Sequence, residues 1–112
     1  MKNKHKNLSR AALEIVAARF RALSDASRLQ ILQLQFEQER SVQELCELSG
    51  MSQANVSKHL SVLAEQGIVE KRRQGLFVFY SIADPTIYEL CEIVCGAVGK
   101  RFGQVMKEFS GR

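Results

Sequence analysis

Residues Ser41 to Gln66, SVQELCELSGMSQANVSKHLSVLAEQ, carry the pattern that decides the fold. Their spacing predicts two short helices joined by a tight turn at Ser49-Gly50-Met51-Ser52. Ser52 is suited to cap the second helix, because its hydroxyl can accept from a free backbone N–H in the first turn. Gly67 is suited to end it, because glycine tolerates a left-handed backbone. Helix limits of Gln53 to Gln66 follow. Within them Val56, Leu60, Leu63 and Ala64 recur at helical spacing as a buried stripe, while Ala54, Ser57, Lys58 and Ser61 fall on the opposite side. That outward side carries no carboxylate. A small-residue, polar-to-cationic face suits the major groove of DNA, where phosphate repels acidic groups and shape excludes bulky ones. The alternative is an ordinary solvated face on a helical hairpin that binds nothing.

With 112 residues, the chain is long enough for one domain with a real core and small for two. Its 46% hydrophobic and 25% charged residues are those of a soluble globular protein. The 16 Lys+Arg against 12 Asp+Glu leave a net charge of +4, which modestly favours polyanionic partners. Placement says more: basic residues gather at Lys2, Lys4 and Lys6, at Lys71, Arg72 and Arg73, and at Lys100 and Arg101. Glu37, Glu39, Glu44 and Glu47 make the middle acidic. No apolar run approaches the roughly 20 residues of a membrane span, and no signal core follows the first lysines. The expected location is therefore the cytoplasm, with no membrane partner. Three cysteines without CxxC spacing argue for reduced thiols and against a disulfide scaffold.

Residues 1–8 are expected to be a mobile basic arm, either solvated or touching phosphate, and residues 9–112 a single domain. From Ser9 a helix with Ala12, Ile15, Val16, Ala18, Phe20 and Leu23 presents an apolar surface wide enough for two partners, the core and a second subunit. Ser24 or Asp25 can cap a second helix, in which Leu29, Ile31, Leu32, Leu34 and Phe36 continue the core. Arg28 sits near the start of that helix, where the dipole disfavours a cation, so pairing with a carboxylate or a phosphate is expected. Gln38 to Ser41 is a polar break, after which Ser41 and Glu44 form a capping-box pattern ahead of Val42, Leu45 and Leu48. Beyond Gly67 the period changes from about 3.6 to 2, and Ile68–Arg73 and Leu76–Ile82 read as two strands around a turn at Gln74-Gly75. Leu76, Val78, Tyr80 and Ile82 share one face of the second strand. A ribbon with Lys71, Arg72, Arg73 and Gln74 at its tip, directly after such a helix, is a wing able to reach phosphates or the minor groove. Its alternative is a solvated charged turn. Asp84 as cap and Pro85 as first residue then start a last helix, about 85–109, with Ile87, Leu90, Val94, Val98, Phe102, Val105 and Phe109 in one stripe. Gly96, Gly99 and Gly103 within it point either to close helix approach or to a kinked, frayed end.

The order of these elements is mainly α with a small β-hairpin, α1-α2-α3-α4-β-β-α5. Together with Ala22 to Leu32 (ALSDASRLQIL), Leu45-Cys46, Ser52 to Leu63 (SQANVSKHLSVL), Gly67-Ile68-Val69, Arg72 to Gly75 and Tyr80-Ser81-Ile82, it resembles the ArsR/SmtB family of bacterial winged helix-turn-helix repressors. The resemblance covers about Phe20 to Cys95. It implies a homodimer formed through first and last helices, bound to a near-palindromic double-stranded DNA operator and released by an inducer. It also implies base-reading positions at Gln53, Ala54, Ser57 and Lys58, with Asn55 beside them. Ser52 and His59 then become phosphate or flank contacts, and Arg72, Arg73 and Gln74 the wing tip. His59 can equally be a partly buried structural histidine. Ala54, where relatives often have Ser, offers only apolar contact, for instance to a thymine methyl.

The family's sensing patterns are incomplete here. The arsenic and cadmium type has two cysteines one residue apart before the recognition helix, where this chain has Cys46 and then Leu48. The zinc and nickel type needs histidine on the last helix, but the only ones are His5 and His59. In the persulfide type a cysteine ends the second helix, where Gln33 stands. Cys91 and Cys95 remain, i and i+4 on the last helix and so about 5 to 6 Å apart, able to ligate one thiophilic metal or metalloid ion such as arsenite. As a redox pair, one thiol would react and the other resolve. The alternative is that both are small core residues, and Cys46 more so. Catalysis has no nucleophile and base with an orienting partner, so an enzyme is not expected. Two other readings stay open: a winged-helix regulator without a small-molecule sensor, and a protein-interaction module using its apolar helices.

Overall fold

The computed structural model describes residues 7–103, so Lys2, Lys4, Lys6, His5, Val105 and Phe109 lie outside the described residues. Five helices and a small sheet follow in order: α1 (Arg10–Leu23), α2 (Ala26–Glu37), β1 (Arg40–Ser41), α3 (Val42–Ser49), α4 (Gln53–Glu65), β2 (Val69–Gln74), β3 (Phe77–Ile82) and α5 (Thr86–Arg101). Helix starts follow side-chain chemistry. Ser9 accepts from Ala12 N at 3.1 Å, Asp25 from Arg28 N at 3.0 Å and Ser52 from Asn55 N at 3.2 Å. Ser41 and Glu44 close a reciprocal capping box, with bonds of 3.0 and 2.9 Å. Gly50, at φ 77°, makes the turn between α3 and α4. Gly67, at φ 70°, ends α4, with Gly67 N bonded to Ala64 O and Ile68 N to Leu63 O. That pair of bonds satisfies the last carbonyls of the helix and turns the chain directly into β2.

The sheet is antiparallel in the order β1-β3-β2. β1 stands where a polar break was expected. Arg40 donates to Leu34 O and pairs with Glu37, closing the end of α2, and then pairs with Tyr80 across the sheet. The hairpin turn is Gly75-Leu76 and not Gln74-Gly75, because Gln74 still pairs with Phe77. Gly75 takes the positive φ, 61°, that a two-residue turn with glycine first requires. Leu76 therefore leaves the strand face on which the alternation put it.

The core is built from Ala22, Ile31, Leu32, Leu45, Val56, Leu60, Leu63, Ile68, Val69 and Ile87, so every helix and the base of the wing contribute. Ala64 of the expected stripe is exposed, although Leu63 beside it is fully buried, so the buried stripe of α4 is narrower than expected. Leu29 is also exposed, while Leu34 and Phe36 are half-buried. α5 begins at Thr86, one residue later than expected. Asp84 still accepts from its N–H at 3.0 Å and from its hydroxyl at 2.7 Å. The same carboxylate pairs with Arg19, whose guanidinium also donates to Gln66 O at 2.6 Å, joining α1 to both neighbours. α5 runs unbroken through Gly96 and Gly99, and a Cβ added at either would meet no atom within 4 Å. Among the described residues, no helix is long and apolar enough to cross a membrane.

Candidate nucleic-acid interface

α4 is fastened by Val56, Leu60 and Leu63, all fully buried, which fixes its rotation about its own axis. Gln53, Ala54, Asn55, Ser57, Lys58 and Ser61 then face outward and are exposed. Ser52 spends its oxygen on the helix cap, leaving its hydroxyl proton free to donate. His59 is half-buried, with Nδ1 3.2 Å from an Arg28 nitrogen. Since guanidinium only donates, this contact keeps the proton of a neutral imidazole on Nε2. Arg28 also donates to Ala22 O at 2.7 Å and Arg21 O at 3.4 Å. Of the expected partners of Arg28, a carboxylate is not used among the described residues. Its cation lies against the carbonyl end of α1, the favourable end of that dipole.

The wing separates residues that sequence grouped. Arg72 forks onto both carboxylate oxygens of Glu39 at 2.7 and 3.0 Å, donates to Gln74 Oε1 at 2.7 Å and lies 4.6 Å over the Phe79 ring. Glu39 is held below its ordinary range, first by the Arg72 hydrogen bond, and Arg72 is raised in turn. Lys71 takes the alternate face, opposite Tyr80, and Arg73 lies two residues further on, opposite Val78. Both are exposed, and neither forms a salt bridge among the described residues. A cleft of about 730 Å³ lies between α3, α4 and the hairpin, with Gln53, Ser57 and Ser61 on one wall and Lys71, Leu76 and Tyr80 on the other. Cys46 borders it and packs on the core, as the core reading of this residue had it. Lys71 is the cleft-facing cation; the sequence grouped it with the wing tip, and its pairing with Tyr80 follows from the turn at Gly75-Leu76.

A second groove, about 600 Å³, runs between α2 and α5 past Leu29, Gln33, Phe36, Tyr88, Cys91 and Cys95. The Phe36 and Tyr88 rings meet at 4.7 Å and floor it. Cys91 is half-buried and Cys95 exposed, and both are free thiols. Burial pushes the Cys91 thiol up, and the neighbouring Cys95 adds to this, so less of it is thiolate at neutral pH. No group of three or more His, Cys, Asp or Glu side chains that could hold a metal occurs among the described residues. Among the described residues, the soft donors along this groove are these two thiols.

Residues 25–71 match the model of the bacterial regulatory protein, arsR family, a span from the cap of α2 through α4 into β2. A crystal structure of Rv0081 from Mycobacterium tuberculosis superposes with a TM-score of 0.79 at 34% identity, covering 86% of this chain and 97% of that one. The chain belongs to the ArsR family. A solution structure from Mycobacterium bovis, described as a homodimeric winged helix-turn-helix DNA-binding domain, is similar to this ArsR-family chain at TM-score 0.78 and 30% identity. It covers 92% of this chain and 95% of that fragment. A probable mercury resistance operon repressor from Streptomyces lividans is 45% identical over 71 residues, 63% of this chain. The alignment spans 57% of that repressor's length and 66% of the Rv0081 regulator's.

Proposed function

We propose that this ArsR-family chain is a cytoplasmic transcriptional repressor that binds a near-palindromic operator as a homodimer through first and last helices. The observation that carries this reading is the cleft itself. A carboxylate-free helix face and a cationic wing are held at fixed separation by one core, which matches a major groove and its flanking phosphates. In this reading Gln53, Ala54, Asn55, Ser57 and Lys58 meet bases, and Ser52 and Arg73 meet phosphate. Lys71 joins them from the inner face. Arg72 and Gln74 act by bracing the wing, and His59 by its bond to Arg28. The test is selection of duplexes from a random pool: Ser57→Ala or Lys58→Ala should change the selected sequence, whereas Arg73→Ala should weaken binding to all sequences alike. Base preference altered by Arg73→Ala alone would contradict the assignment.

The release signal is thiol-directed in this proposal, acting at Cys91 and Cys95 and not at Cys46. The mercury-resistance relative and the two-thiol face of α5 support it. Two protomers joined near α5 would bring four thiols together, enough for a thiophilic metal or metalloid. Native mass spectrometry of the reduced protein with mercuric ion or arsenite should show binding that Cys91→Ser with Cys95→Ser abolishes. Unchanged DNA release in that double variant would instead support a regulator without this sensor.

A further inference from the structure

Leu76 is 97% exposed at the tip of the wing, beside Phe77 at 54%. A leucine left in water forgoes the gain of burial, and the second position of a glycine-first hairpin turn accepts polar residues readily. The fold therefore gives no reason for leucine there. The ribbon that carries the tip is braced. Six residue pairs join β2 to β3, β1 pairs along the other edge of β3, and the Arg72 fork ties β2 to Glu39. Across the cleft stand Gln53 and Ser57 of the recognition helix.

We propose that Leu76 is an apolar reader of the operator's minor groove, accepting A·T pairs beneath the wing and rejecting G·C. This rests on the DNA-binding reading above. When α4 lies in the major groove, the hairpin beside it reaches the adjoining minor groove, and Lys71 and Arg73 bring the tip to the backbone. A leucine can neither pair with phosphate nor bond to base edges. It can press on sugars and the groove floor, where the guanine N2 amino group projects and adenine presents none. A second copy of the chain is a poorer occupant, because the tip is flanked by cations that a copy with net charge +4 does not neutralise.

The experiment uses the full chain and a duplex selected by it. Leu76→Ala, a change at an exposed turn position, should weaken binding about tenfold while leaving the salt dependence unchanged, since no phosphate contact is lost. Replacing adenine beneath the wing by 2,6-diaminopurine adds the minor-groove amino group and keeps the major-groove pattern. It should weaken wild-type binding about tenfold and Leu76→Ala binding little. Wild-type and Leu76→Ala proteins of equal affinity, or equal sensitivity of both to diaminopurine, would overturn the inference alone. Failure of the wild-type chain to bind any duplex would overturn the DNA-binding reading with it.

Discussion

Arg28 joins the carbonyl end of α1 to the recognition helix through Ala22 O, Arg21 O and His59 Nδ1. Arg28→Met removes the donor from all three acceptors at once, two of them half-buried or deeper. Chemical denaturation should show a loss of about 1–3 kcal/mol, with Arg28→Lys recovering only part because an ammonium cannot fork. An unchanged midpoint would mean that the bracket contributes nothing. The clasp between Arg72 and Glu39 has a pH signature. Its carboxylate is depressed in the folded state, so its contribution is complete above the ordinary value of 4.5 and lost as pH falls through the lower folded value. Protection of the β2 amides relative to their intrinsic exchange rate should therefore fall in acid below that value, and Glu39→Gln should abolish the step. Neither contact was legible beforehand: Arg72 and Glu39 are 33 residues apart, and no local pattern pairs them.

The elements with strong local chemistry were the readable ones. Ser41 with Glu44, Ser52 and Gly67 delimit α3 and α4 because capping and a left-handed C-terminus depend on a few neighbouring residues. β1 was not readable, since two residues cannot display a period, and its pairing with Tyr80 and Phe79 is fixed by α2 and β3. Ala64 is exposed for a related reason: helical spacing predicts direction, but how wide a stripe the core covers is set by its packing partners, and here it takes Leu63 and not Ala64. The turn also moved by one residue. Gly75→Ala tests its position, as a φ of 61° costs an L-residue about 1 kcal/mol even where a Cβ would meet nothing. Thermal unfolding should record that loss together with faster exchange in β2 and β3. A neutral Gly75→Ala would place the strain elsewhere.

Across the whole molecule the unmatched surface is apolar. Leu13, Ile15, Val16 and Phe20 on α1, Ile93, Val94 and Val98 on α5 and Phe102 at its end are exposed in one protomer, far more than scattered surface residues would give. The breadth of these helices was visible in the sequence, but what covers them was not, because symmetry leaves no mark in a single chain. If a second copy covers them, Phe20→Glu with Val94→Asp should give a folded monomer by sedimentation, with operator affinity reduced by at least about a hundredfold through loss of the second half-site. The most direct measurement is a salt titration of duplex binding. Lys71 and Arg73 from two protomers amount to about four phosphate contacts, so affinity should fall by roughly a hundredfold between 50 and 200 mM salt. Affinity that stays flat over this range would contradict the assignment of α4 and the wing to DNA.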